Sequence, residues 1–276
     1  MTHDEATYLL LEGDPLAIAH RAHSIELRCG QPVSAGLAPE LQCVIFDLDG
    51  VLTNTAEYHY RAWKRLTEEL GLEFDRAVNE RLKGVSRLGS LDIILDHAHV
   101  ELPAEEKERL AGRKNEYFGE LVRTIKPGDL LPGMEGLLAA LRAAGVRTAI
   151  ASVSHNVFEI VRRLEITNLI DAIVDPATLV KGKPDPEVFF RAAEMLGLPF
   201  ENCAAVEDAA VGIEAIRAAR MFAVGIGPGL PDADWILEST AELEYTSLLE
   251  RFRSHHARLR NDGLPTAASG EAASAV

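Results

Sequence analysis

The sequence predicts an α/β fold: a parallel sheet covered by helices on both faces, with a helical block inserted after the first strand. Three observations carry this. The apolar run Cys43-Val-Ile-Phe46 enters two acids and a glycine, Asp47-Leu-Asp49-Gly50, as a strand buried on both faces does where it ends at a ligand-bearing edge. From Gly133 onward, short apolar strands alternate with helical segments, the βαβα rhythm of a parallel sheet. Between the two lie roughly 75 residues with helical spacing and no strand pattern.

Each element has its local reason. Residues 1–40 hold short extended-looking pieces at 8–11, 16–19 and 24–27, separated by Gly13-Asp14-Pro15 and Gly30-Gln31-Pro32. They read either as small hairpins or as an extension without fixed structure, and the composition favours the second. Helical spacing over 55–70 closes at Gly71, and further helices are expected over 74–82, 87–98 and 103–124. The second half predicts helix 134–144 closed by Gly145, strand 147–151, helix 156–164 and strand 172–174. Helix 186–196 ending at Gly197, strand 204–206, helix 211–219 and strand 222–225 complete it. An Ala/Ser/Gly-rich end, 259–276, reads as a disordered tail.

At 276 residues the chain holds one or two domains, and 47% hydrophobic with 26% charged residues is ordinary for a globular protein. A net charge of −15 argues against nucleic acid or an anionic membrane as partner, so an anionic substrate needs a local basic site or a metal. Cys29, Cys43 and Cys203 form no CxxC pair, which suits reduced thiols. No apolar run approaches a membrane span, and Asp4 and Glu5 stand where a secretory signal would be basic. A cytoplasmic location is expected.

Four strand ends carry the chemistry. Asp47 and Asp49 repel each other unless a cation or a shared proton intervenes, although an isolated DxDG serves equally as a turn. Ser152-Val153-Ser154-His155-Asn156 opens a helix and offers hydroxyls and free N–H groups to an anion; taken alone, Ser154 or Asn156 is as well explained as an N-cap. Lys183, before Pro184, can place an ammonium over a phosphate, where a lone lysine is usually a surface residue. Glu207-Asp208 is a solvated turn by itself, but suits a hard cation such as Mg²⁺ beside the first acid pair.

In this order the four elements resemble the haloacid dehalogenase superfamily over residues 41–226. The resemblance implies a Rossmann-like core (41–54 and 127–258) with Asp47 as nucleophile and Asp49 as general acid/base. It implies Mg²⁺ held by Asp47, the Asp49 carbonyl and Asp208, with Glu207 beside it, and a phosphoryl group bound by Ser152 and Lys183. The inserted block, 55–126, looks like the helical cap of this superfamily. Its Thr55-Ala-Glu-Tyr-His59-Tyr-Arg-Ala-Trp63-Lys, Leu82-Lys83-Gly84-Val85-Ser86-Arg87 and Arg113-Lys114-Asn115 resemble the β-phosphoglucomutase family.

That second resemblance implies Thr55 at the hinge, with His59 and Lys83 coupling cap closure to Asp49. It implies Arg87, Ser154 and Asn156 on a second, non-reacting phosphate, and Lys114 on the sugar, with Gly84 and Val153 lining the substrate site. The expected reaction interconverts β-glucose 1-phosphate and glucose 6-phosphate, with glucose 1,6-bisphosphate as intermediate and priming donor. A sugar-phosphate phosphatase would share every core residue; a catalytically idle sugar-phosphate-binding module would be expected to have lost one of them. Asn54, His155, Leu88-Gly89 and Ala209 depart from the family pattern, His155 replacing an expected lysine.

Residues 11–16, 24–27 and 30–33 resemble the β-rich C-terminal end of disaccharide phosphorylases, which release β-glucose 1-phosphate, so a functional link to such an enzyme is expected. Trp63 reads as cap core, and His97, His99, His255 and His256 as surface residues rather than metal ligands.

Overall fold

A computed structural model describes residues 39–82 and 85–261, with the side chain of Asn261 left out. Most of the N-terminal extension, Lys83, Gly84 and residues 262–276 lie outside the described residues.

Six parallel strands form one sheet in the order β3-β2-β1-β4-β5-β6. They are β1 Cys43–Phe46, β2 Arg147–Ile150, β3 Ala172–Ile173, β4 Cys203–Glu207, β5 Phe222–Ile226 and β6 Trp235–Leu237. All four β1 residues are fully buried, and alternation sends them to opposite faces. Val44 and Phe46 join one apolar layer with Leu137, Leu141 and Phe252. Cys43 and Ile45 join the other, with Phe189, Ala192 and Ile216. The first layer is covered by α5 (Met134–Ala143) and α9 (Tyr245–Asn261), the second by α7 (Glu187–Leu196) and α8 (Ala210–Ala218).

The helices between β1 and β2 are α1 (Ala56–Leu70), α2 (Arg76–Glu80), α3 (Arg87–His97) and α4 (Ala104–Val122). Trp63 and Leu66 of α1, Leu91 and Ile94 of α3, and Leu110 and Phe118 of α4 are buried in one apolar cluster. Trp63, at 3% exposure, is cap core as expected. The chain enters and leaves this block side by side: Thr53 bridges Leu130, and its hydroxyl donates to the Asp129 carbonyl at 2.8 Å. The remaining core helix, α6 (Val157–Arg163), follows β2.

The structure differs from the sequence reading at several places. α2 is shorter than 74–82 because the Asp75 side chain accepts from Val78 N–H and fixes its start. β6 and α9 are additional, and α9 runs to Asn261, so the tail reading that began at 259 is corrected. Buried Leu248 and Phe252 hold α9 on the sheet, Phe252 meeting Phe222 edge-on at 5.9 Å. His255 and His256 are therefore half-buried rather than surface residues, and His255 lies 3.4 Å from Asp234. Cys43 and Cys203 are free and buried. Among the described residues no helix is long and apolar enough to cross a membrane.

Candidate active site

The site forms where β1 and β4 end side by side. Phe46 is the register partner of Val206, and the Asp47 N–H donates to the Val206 carbonyl at 2.9 Å, so Asp47 and Glu207 leave the sheet next to each other. Lys183, from the loop before α7, reaches both: its ammonium is 2.5 Å from Asp47 Oδ1 and 2.7 Å from Glu207 Oε2. The Lys183 and Glu207 side chains are each only 3% exposed. Burial works against the Lys183 charge, but the two carboxylates outweigh it and hold the ammonium above its ordinary range. Burial, then the charge of Asp47, pushes Glu207 up to about 8 despite Lys183.

Two glycines make room for this cluster. A Cβ on Gly50, whose φ is +77°, would fall 2.1 Å from Asp208 Oδ2. A Cβ on Gly212 would fall 2.1 Å from the Glu207 carboxyl carbon. Each glycine thus admits one carboxylate of the Glu207-Asp208 pair. Asp47, Glu207 and Asp208 each offer an oxygen within 4.8 Å of the others. Opposite ligands of a Mg²⁺ ion with bonds of about 2.1 Å stand about 4.2 Å apart, and the donor set is all oxygen, so these residues fit that ion.

Asp49 sits on the turn after β1, where its Oδ1 accepts the Thr55 N–H at 2.6 Å. Burial, reinforced by the charge of Asp47 and opposed by that N–H, pushes its carboxyl up to about 6. Thr55 is buried and sits at the N-cap of α1, so the start of the cap is tied directly to Asp49. Ser152 follows the end of β2, buried; its Oγ accepts the Ser154 N–H at 3.2 Å, and Ser154 Oγ accepts that of Asn156 at 3.4 Å. Val153 and Ser154 are half-buried in this loop.

The cap residues gather on the other side. Lys114, 2% exposed, places its ammonium 2.7 Å from His59 Nδ1 and 4.7 Å from the Phe118 ring centre. His59 stacks on Phe118 at 4.0 Å. Arg87, at the start of α3, has a buried Nε without a hydrogen-bond partner among the described residues. Burial lowers its pKa, and its charge in turn helps burial to lower those of Lys114 and His155. Arg87 therefore lies within electrostatic reach of both the cap lysine and the core loop.

Asn156 is the N-cap of α6, yet its side chain makes no capping bond; Nδ2 donates to Asn115 Oδ1 of α4 at 2.9 Å. The sequence reading gave Asn115 no role of its own. The available signal was a polar side chain beside Lys114 on a helix with a buried face. Lys83 and Gly84 lie outside the described residues.

Known proteins resemble this chain in sequence and fold. A family profile described as haloacid dehalogenase-like hydrolase matches residues 41–220. A β-phosphoglucomutase from Bacillus subtilis (strain 168) is 46% identical over 222 residues, covering 79% of this chain and 98% of that protein. The crystal structure of a β-phosphoglucomutase from Clostridium difficile aligns with a TM-score of 0.77 at 38% identity, covering 79% of this chain and 100% of the other. A phosphorylated carbohydrates phosphatase from Thermotoga maritima is 28% identical over 205 residues, covering 73% of this chain and 92% of that protein. The chain belongs to the haloacid dehalogenase-like hydrolase family and, within it, to the β-phosphoglucomutases.

Proposed function

We propose that the protein interconverts β-D-glucose 1-phosphate and D-glucose 6-phosphate through an aspartyl phosphate on Asp47 and a glucose 1,6-bisphosphate intermediate, which also primes the enzyme. The observation that carries a mutase over a phosphatase is Arg87, whose buried Nε has no hydrogen-bond partner among the described residues. Transfer to water needs one anion site. A mutase must grip a bisphosphate at both ends, and Arg87 with Ser154 and Asn156 supplies the second grip.

Asp47 attacks phosphorus and displaces the sugar oxygen, which Asp49 protonates; in the return step Asp49 removes the proton from the attacking hydroxyl. The folded-state value of Asp49, about 6, lets it hold or release that proton near neutrality. Lys183 holds Asp47 in place through its 2.5 Å contact, and its ammonium lies beside the incoming negative charge. Asp47, Asp208 and Glu207, with the Asp49 carbonyl, would hold Mg²⁺, which offsets charge on the transferring group. Thr55 ties cap closure to Asp49, and Lys114 and His59 form the buried floor against which the sugar rests. Exclusion of water by the cap protects the aspartyl phosphate from hydrolysis. A cytoplasmic setting accords with the two unpaired thiols, Cys43 and Cys203.

The test supplies β-glucose 1-phosphate, Mg²⁺ and a trace of glucose 1,6-bisphosphate, and measures glucose 6-phosphate and free phosphate in parallel. Glucose 6-phosphate with little free phosphate is expected. Stoichiometric release of phosphate would overturn the mutase and leave a sugar-phosphate phosphatase. Asp47→Asn should abolish turnover; retained turnover would overturn the covalent route.

A further inference from the structure

Asn156 forgoes the bond that its position offers. An asparagine at an N-cap ordinarily turns its carbonyl oxygen onto the first N–H groups of its own helix. Here α6 begins without that bond, and the carboxamide instead presents its nitrogen to the cap, where Asn115 Oδ1 accepts at 2.9 Å. The two residues are 41 apart in sequence and belong to different layers, so the contact exists only while α4 stands over the loop 152–156.

The chemistry of a carboxamide gives this contact a direction. Its nitrogen carries two hydrogens and its oxygen none, so a partner that accepts decides which end faces it. Asn115 uses one hydrogen of Asn156. The second remains on the same nitrogen, in the loop whose Ser154 and His155 flank it and toward which the charge of Arg87 extends. An anionic oxygen is attracted by that end of the amide and repelled by the other.

We infer that Asn115 is a positioning residue: it aims the donor end of Asn156 at the second phosphate of the substrate and so couples cap docking to anion binding at that site. The inference rests on the mutase reading, which places a non-reacting phosphate there. Asn115 touches no substrate; it acts through Asn156. With Asn115 absent, the N-cap geometry competes and draws the Asn156 oxygen onto α6.

Asn115→Leu and Asn115→Ala remove the acceptor without weakening α4, since both replacements are better helix formers. Because the second phosphate is held alike in the ground and transition states, each variant should raise KM for β-glucose 1-phosphate about tenfold and keep kcat within about twofold. The carboxamide signals of Asn156, read by NMR on the ¹⁵N-labelled full chain, should move toward those of a free amide in both variants. Their response to added inorganic phosphate should weaken. An unchanged KM, a loss confined to kcat, or Asn156 signals that do not move would overturn the assignment. If the wild-type protein releases phosphate and makes no glucose 6-phosphate, the mutase reading fails, and the Asn156 signals with inorganic phosphate alone decide the role of Asn115.

Discussion

Buried Lys114 and half-buried His59 form a pair inside the cap, ammonium to Nδ1 at 2.7 Å, with no carboxylate among their hydrogen-bond partners in the described residues. Burial, then the charge of Arg87, lowers Lys114 to about 7, and burial with the charge of Lys114 holds His59 well below its ordinary value. While Lys114 is protonated its ammonium can only donate, so the Nδ1 of a neutral His59 accepts and the ring proton sits on Nε2. Between about 7 and the ordinary 10.5 the unfolded chain keeps the lysine proton and the folded chain releases it, so this group makes stability rise with pH across that window. Below about 7 both states hold the proton and the full cost of a buried ammonium is present. Lys114→Met removes that cost. The variant should gain most over wild type near pH 6, with the gap closing toward pH 9, in urea unfolding at about three pH values. A gap that stays constant would place the lysine pKa elsewhere.

Gly212 stands against Glu207, and the carboxylate has nowhere to go. Its Oε2 is held by Lys183 at 2.7 Å and its Oε1 accepts the Ala209 N–H at 3.2 Å, while a Cβ on Gly212 would intrude to 2.1 Å of its carboxyl carbon. Gly212→Ala should weaken Mg²⁺ binding about 10- to 100-fold, as displacement of a supporting group around a metal typically does. Gly136→Ala is the control: that helical position of α5 has nothing within 4 Å of the added methyl. It should leave Mg²⁺ binding unchanged and add about 0.5–1 kcal/mol of stability. Calorimetric titration of Mg²⁺ into each protein decides it; equal affinities in all three would remove Glu207 from the cation site.

The strand ends were legible because the signal is local: a buried parallel strand is a continuous apolar run, and an acid at its end has only a ligand or water to face. β6 escaped notice because it is a three-residue edge strand whose central Ile236 is exposed, so it shows neither an apolar run nor clean alternation. α9 escaped because its polar sequence is anchored by few buried residues, Leu248 and Phe252 among them. At the site, residue type and order pointed to Asp47, Lys183 and Glu207 separately, but their meeting on one ammonium is tertiary. Asn156 shows the limit most clearly. Local rules offer an N-cap, and a partner 41 residues away claims the side chain instead.

The resemblance of residues 1–40 to the end of a disaccharide phosphorylase carries its own expectation. If that segment is a remnant, a chain starting at Pro39 should keep the melting temperature within a few degrees and the turnover within about twofold. Loss of folding or activity on this truncation would make the segment part of the enzyme and end the remnant reading.

Lys183 is the counter-ion on which the cluster depends. Its ammonium is shared by Asp47 and Glu207, all three largely withdrawn from water. Lys183→Met leaves two neighbouring carboxyl groups without their cation, which in a buried setting costs about 3–5 kcal/mol at the alkaline pH where both are ionised. Two further predictions separate this from loss of packing. Lowering the pH from about 9 to about 7 should shrink the penalty, because Glu207, already pushed up to about 8, takes a proton in that window and ends the repulsion. Millimolar Mg²⁺ should also recover part of the loss, since Asp47, Glu207 and Asp208 can close on the ion in place of the ammonium. Urea midpoints of wild type and Lys183→Met, each with Mg²⁺ or with a chelator, give the comparison. If Mg²⁺ stabilises neither protein, the three carboxylates do not constitute a cation site, and the charge balance of the proposed transfer would have to rest on Lys183 alone.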